Sequence, residues 1–199
     1  MARGKILFDG CYTHILSRSI ERRWIYKEAK DFEAFKGILR EIKKDYGFYL
    51  RHYCLMNTHF HLAVEIPDVE TFSQGLQQAK WRYTHWYNKK YHRHGPLWRE
   101  RFKSLLIEDE RYLYACGLYI EHNPLKAEMV KHPEDWPHSS SGYYFARRRD
   151  ELVDGYNRPA MPHGIDLDDD RSFTKGLGIG SALFRLHLKE EAQIELTVP

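Results

Sequence analysis

The chain has 199 residues, of which 42% are hydrophobic, 15% aromatic and 30% charged, and a formal net charge of +3. This is the composition of a folded protein, with apolar material for one main domain and room for an appendage. No apolar run is long enough to span a bilayer, "MARGKILFDG" lacks a signal region, and Cys11, Cys54 and Cys116 are scattered. A cytoplasmic protein is therefore expected, with no membrane partner, disulfide framework or cysteine zinc site.

In chain order, a strand is expected near residues 10–17, followed by the basic loop "RSIERRWIY". A helix is expected over 31–45, with Asp31 as its cap and Phe32, Phe35, Ile38, Leu39 and Ile42 at helical spacing. A second strand starts just after Gly47. Asn57 and Thr58 make a tight connection into a third strand, "HFHLAVEI", which Pro67 stops. Residues 70–91 form a second helix with one apolar stripe through Phe72, Leu76, Ala79, Tyr83 and Trp86. "RFKSLLI" is a fourth strand. "EDERYLYACGLYIEH" is a third helix, ended by Pro124.

This order is the split βαβ pattern of a ferredoxin-like α+β domain. It predicts an antiparallel sheet of four to five strands, two helices on one face and the third helix on the other, with the first and third strands central. A domain over 1–149 and an acidic extension over 150–199, ending in a helix near 180–195, complete the layout. Charge supports the division. Residues 150–199 hold 5 Lys/Arg and 10 Asp/Glu, so residues 1–149 carry a balance of +8. The basic body fits a nucleic-acid partner and equally fits an ordinary solvated surface.

Alternation on the third strand puts Phe60, Leu62, Val64 and Ile66 on one face and His59, His61, Ala63 and Glu65 on the other. The apolar face should meet the two helices. The histidines are then displayed together on the open side, where two imidazoles can share one divalent ion. In a chain with 12 histidines such a pair also arises by chance. On the third helix Tyr119 and Asn123 lie four residues apart, on one face. An Asn oxygen suits a hard cation, and a phenol can act as nucleophile; an amphipathic helix with a buried Tyr and a capping Asn reads the same way. Tyr112 and Tyr114 have no Asn or Gln four residues on. Glu121 is expected at the surface.

Five stretches, "YTHILSR", "MNTHFHL", "RYTHWYNKKYHRHGPLWRERFKS", "YIEHNPLKAEMV" and "PEDWPHSS", resemble the bacterial single-tyrosine transposases of the insertion-sequence type. The similarity is greatest to the REP-associated tyrosine transposases of the HUH endonuclease superfamily, and it runs from about residue 10 to residue 145. The family pairs a histidine–hydrophobic–histidine motif on a central strand with a later helix bearing Tyr and a polar ligand four residues on. That pattern maps onto His59, His61, Tyr119 and Asn123.

The resemblance implies a ferredoxin-like fold and a metal site for Mg²⁺ or Mn²⁺ formed by His59, His61 and Asn123. It also implies nicking and rejoining of single-stranded or hairpin DNA through a 5′-phosphotyrosine at Tyr119. His14 on the first strand is expected to support the pair. Asn57-Thr58 stands where the family usually has Pro-Asn, and "SRSIERR" where it often has Arg-Gly-Asn. These departures bear on substrate detail more than on chemistry.

Between Lys80 and Lys103 eight Lys/Arg are opposed only by Glu100, with tyrosines and tryptophans interleaved. Lys89, Lys90, Arg93, Arg99, Arg101 and Lys103, together with Arg22 and Arg23, are the candidate DNA contacts. A protein that holds hairpin DNA or RNA without cutting it is the competing reading, and the sequence leaves a homodimer open. The acidic tail reads either as a solvated loop or as a cover for the basic groove.

Overall fold

The computed structural model describes residues 7–169, 173 and 178–181. In chain order the elements are β1 (Cys11–Arg18), α1 (Ala29–Tyr46), β2 (Tyr49–Met56), β3 (His59–Ile66), α2 (Val69–Lys90), β4 (Lys103–Ile107), α3 (Glu110–Glu121), the short helices α4 (Asn123–Lys126) and α5 (Ser141–Ala146), and β5 (Gly178–Ile179). The sheet order is β2-β3-β1-β4-β5, so β3 and β1 are central as the pattern predicts. The first four strands pair antiparallel. β5 departs from an all-antiparallel sheet by adding to β4 in parallel. The helix expected over 180–195 falls almost wholly outside the described residues.

Local chemistry sets the element ends. α1 begins earlier than Asp31: Glu28 is its cap, and Asp31 completes a capping box by accepting from the amides of Lys27 and Glu28. Gly47, at φ 62°, closes the helix in the left-handed region that glycine enters without penalty. Asp68 caps α2 by accepting from the Thr71 amide, and Asp109 caps α3 through the amides of Arg111 and Tyr112. Pro124 interrupts rather than terminates: α3 ends at Glu121, and the chain turns at His122 into α4.

The sheet separates two cores. Ile15, Phe60, Leu62, Val64 and Ile66 pack against α1 and α2 with Phe35, Leu39, Phe72, Leu76 and Tyr83. Each such side chain contributes about 1.5–3 kcal/mol on burial. α1 and α2 approach closely: a Cβ on Gly75 would lie 2.7 Å from the Tyr46 ring. The opposite face is not open. Cys54, Met56, Ala63, Leu105 and Ile107 form a second core with Leu113, Cys116, Tyr119 and Ile120 of α3 and with Phe173 and Ile179. Leu152 and Val153 join the first core, so the chain stays packed on the domain just beyond residue 149. Among the described residues no helix is long and apolar enough to cross a membrane.

Candidate active site

The β1–β3 register sets His61 opposite Leu16 and His59 opposite Arg18, with His14 opposite Ala63. All three imidazoles therefore share the face that α3 covers. His14 Nδ1 is 2.7 Å from the carbonyl oxygen of Phe173, which can only accept, so that nitrogen carries the proton. In the neutral ring Nε2 is then an acceptor, and it lies 2.8 Å from His61 Nδ1, which must donate. The tautomers assigned by this network leave His61 Nε2 with a bare lone pair, and that atom is buried without a hydrogen-bond partner.

Electrostatics keep the rings neutral. Burial pushes the His14 pKa down to about 4. Burial and then Arg18 push that of His59 to about 4. Burial, with His59, His14 and Arg18 adding to it, holds His61 well below the ordinary histidine value. Neutral imidazole is the form that ligates a metal. The Thr58 hydroxyl, 3.0 Å from His59 Nδ1, orients the first ring, and the His59 and His61 rings lie 5.0 Å apart.

α3 brings Tyr119 to this pair, its ring 6.2 Å from those of His14 and His61. The Asn123 amide nitrogen donates to the carbonyls of Tyr119 and Ile120, at 2.9 and 3.2 Å. That fixes the side chain across the end of α3 and leaves its oxygen as the end available to a cation. Among the described residues no cluster of three or more His, Cys, Asp or Glu could hold a metal. The candidate donors are thus the two neighbouring imidazoles and, at the end of α3, the Asn123 amide oxygen, donor types that a divalent ion accepts. The unpartnered His61 Nε2 is the atom such an ion would satisfy.

Two expectations about this face need correction. The histidines lie outside the core only in part: His14 and His61 are 0% and 1% exposed, because α3 and Phe173 cover them. Glu121, expected at the surface, is fully buried; its Oε1 accepts from Ser140 at 2.6 Å and lies 2.8 Å from His52 Nδ1. His52 in turn meets the Tyr156 hydroxyl at 2.8 Å. Gly117 makes room for this ring, since a Cβ there would lie 2.4 Å from it.

Tyr119 itself is 2% exposed. The Phe173 ring stacks on it at 4.5 Å with planes 10° apart, and Lys126 Nζ lies 4.9 Å over its centroid. Asp168 is 3.5 Å from Lys126. The described part of the acidic tail thus reaches the tyrosine.

The basic candidates divide. Arg22, Lys89, Arg99, Arg101 and Lys103 are exposed, and Arg23 and Arg93 are half-buried. Lys90 is not available as the run of charge suggests: its ammonium pairs with Glu28 and with buried Asp31, which raises its pKa against the opposing effect of burial. Lys80 is 7% exposed, bonded to the Glu100 carbonyl, and burial lowers its pKa to about 7. Sequence reasoning missed Arg18, Lys126 and Phe173. Arg18 could have been found from the β1–β3 pairing, since it ends the strand opposite His59. Phe173 had no local signal.

Residues 8–123 match the family of IS200-like transposases. Over 116 residues the chain is 26% identical to a provisionally named REP-associated tyrosine transposase of Haemophilus influenzae, covering 53% of this chain and 66% of that protein. It is 24% identical over 110 residues to the REP-associated tyrosine transposase of Escherichia coli, covering 55% and 64%. The match thus spans just under two thirds of each relative. A solved structure of a REP-associated tyrosine transposase bound to a REP hairpin superposes with a TM-score of 0.64 at 20% identity, over 83% of this chain and all of that one, and so shares its fold. With more than half of its length matched by the family, the chain belongs to the IS200-like transposases.

Proposed function

We propose that the protein nicks and rejoins single-stranded DNA at hairpins, with Tyr119 as nucleophile and a divalent metal, Mg²⁺ or Mn²⁺, held by His59, His61 and Asn123. The observation that carries this reading is the meeting of Tyr119 with a histidine pair whose buried Nε2 has no partner. When bound, the metal supplies charge to a phosphate oxygen and lowers the barrier to displacement at phosphorus. The residues supply position. α3, capped by Asp109 and tied at its far end by Asn123, holds the phenol beside the histidine strand. The Tyr119 oxygen forms a bond to phosphorus, and the bond to the 3′-oxygen breaks. The phenol loses its proton and the departing oxygen gains one, so no water is consumed. A DNA 3′-OH reverses the step, which conserves the bond for rejoining.

Family membership and the hairpin bound by the structural neighbour support hairpin DNA as substrate. A non-cleaving hairpin-binding protein is the second reading, favoured by one fact: Tyr119 is covered by Phe173. The deciding experiment is incubation with labelled hairpin oligonucleotide and Mn²⁺, followed by a denaturing gel. Tyr119→Phe should abolish the covalent protein–DNA band while hairpin affinity stays within about twofold, since only a phenol oxygen is removed. An adduct that persists in the Phe variant refutes the nucleophile. A wild type that binds but forms no adduct favours the second reading.

A further inference from the structure

Arg18 ends β1, directly opposite His59 on β3, while Leu16 lies opposite His61. Opposed residues of an antiparallel pair share one face of the sheet, with Cβ atoms about 4.5–5.5 Å apart. Arg18 is therefore rooted beside His59, on the face that carries both histidines and that α3 covers with Tyr119. Its backbone is tied on both sides. The Arg18 carbonyl accepts from the Arg99 amide at 2.9 Å, and the next amide, that of Ser19, donates to the Thr58 carbonyl at 2.9 Å. The side chain is exposed, and among the described residues no carboxylate pairs with it. Lys90, held by Glu28 and Asp31, shows the contrast. The Arg18 charge is felt at both rings: after burial it is the cause that lowers His59, and it adds to burial, His59 and His14 in lowering His61. A fixed cation beside metal ligands opposes the metal, and an anion lying between the two offsets that opposition. The phosphate under attack is the anion that the reaction brings to this point.

We propose that Arg18 is a further catalytic residue, whose guanidinium holds a non-bridging oxygen of the scissile phosphate while Tyr119 attacks phosphorus. As the bond from the phenol oxygen forms and the bond to the 3′-oxygen breaks, negative charge spreads over the phosphate oxygens. A donor fixed in advance stabilises that charge without reorganisation at the moment of reaction. Arginine suits the task better than lysine, because its planar fork offers two parallel N–H bonds to one phosphate and never loses its charge. The role rests on the DNA-cleaving reading above and adds to it a group that does not touch the metal.

The test measures adduct formation in a single turnover at saturating hairpin oligonucleotide and Mn²⁺, together with hairpin affinity and, by calorimetry, Mn²⁺ affinity. Arg18→Ala should slow the adduct about 100-fold, the loss that follows removal of one donor to developing negative charge. Hairpin affinity should stay within about fivefold, because one phosphate contact among several is lost. Mn²⁺ affinity should hold or rise, because a positive charge leaves the neighbourhood of the ligands. Arg18→Lys keeps the charge and loses the fork, so its rate should fall between wild type and Ala. Thermal melting checks each fold, and Arg18→Gln, uncharged and closer in length, replaces Ala should Ala melt lower. A loss below about tenfold at saturation overturns the role, as does weaker Mn²⁺ binding or a Lys variant as slow as Ala. Wild type that binds the hairpin and forms no adduct ends the cleaving reading and the part of Arg18 in it together. An adduct indifferent to Arg18 overturns the role alone and leaves that reading standing.

Discussion

Replacing Glu121 by Ala should cost the fold far more than a helix-surface substitution would. The carboxylate is fully buried on α3, between Ser140 and His52, and its second oxygen has no partner. Truncation leaves the buried His52 ring nitrogen without its partner, while the Ser140 hydroxyl keeps the Tyr53 carbonyl, 3.2 Å away, as acceptor. One orphaned polar group at about 1–3 kcal/mol, plus the cavity left by the lost carboxylate, amounts to about 2–4 kcal/mol. For a domain of this size, at about 2–4 °C per kcal/mol, the melting temperature should fall by roughly 10 °C. Glu121→Gln keeps the accepting oxygen and exchanges the unpaired one for an amide, so it should cost about 1 kcal/mol or less. Thermal unfolding followed by circular dichroism at one pH compares the three proteins. An Ala variant within about 2 °C of wild type, or a Gln variant as damaged as Ala, refutes the account of the network as a hydrogen-bond clamp. The clamp also bears on chemistry, because Glu121 follows Tyr119 by two residues. At a temperature where the Ala variant is folded, adduct formation should drop more than hairpin binding.

Three further outcomes follow from the site and its surroundings. His59→Ala should weaken Mn²⁺ binding at least about tenfold by calorimetric titration, with the melting temperature little changed because this ring is only half-buried; unchanged Mn²⁺ affinity removes the histidine from the ligand set. Phe173→Ala should speed adduct formation, by up to about 100-fold if burial and stacking of that ring are what hold Tyr119 covered, and an unchanged or slower rate in a folded variant refutes the cover. Burial pushes the Asp31 carboxyl up, but Lys90, the Lys27 amide, Tyr91 and the Glu28 amide together hold it below the ordinary carboxylate range. Its stabilising contribution is therefore present above the unfolded value of about 4 and lost as pH falls through the lower folded value. Asp31→Asn should be clearly less stable than wild type at neutral pH, with the gap closing in acid; a gap that does not change with pH counts against this.

What could be read from the sequence depended on how far apart the partners lie. Period-two alternation on β3 is a local property, and it correctly assigned Phe60, Leu62, Val64 and Ile66 to one core and the histidines to the other face. The spacing of Tyr119 and Asn123 is equally local, and the amide does close the end of the helix that carries the tyrosine. The identity of the covering layer was not local. Phe173 contacts His14 from 159 residues away, and Glu121 is satisfied by His52 from 69 residues away.

A charged residue on an amphipathic helix is usually solvated, and nothing near Glu121 in the chain signals otherwise. Lys90 errs in the opposite direction. Within its own run it reads as one of several free cations, yet Asp31, 59 residues earlier, holds it to the start of α1. The same reasoning separates two basic surfaces, the run between Lys80 and Lys103 and the arginines Arg147, Arg148 and Arg158 beside α5. The charge between Lys80 and Lys103 is conspicuous in sequence and partly consumed by the fold. Arg158 sits in the acidic extension, whose balance conceals it, while Arg147 and Arg148 end the basic body, and no carboxylate among the described residues pairs with any of the three. Lys89, Arg99, Arg101 and Lys103 stay exposed on the first surface, so net charge along a sequence locates cations and only the fold shows which of them a carboxylate holds.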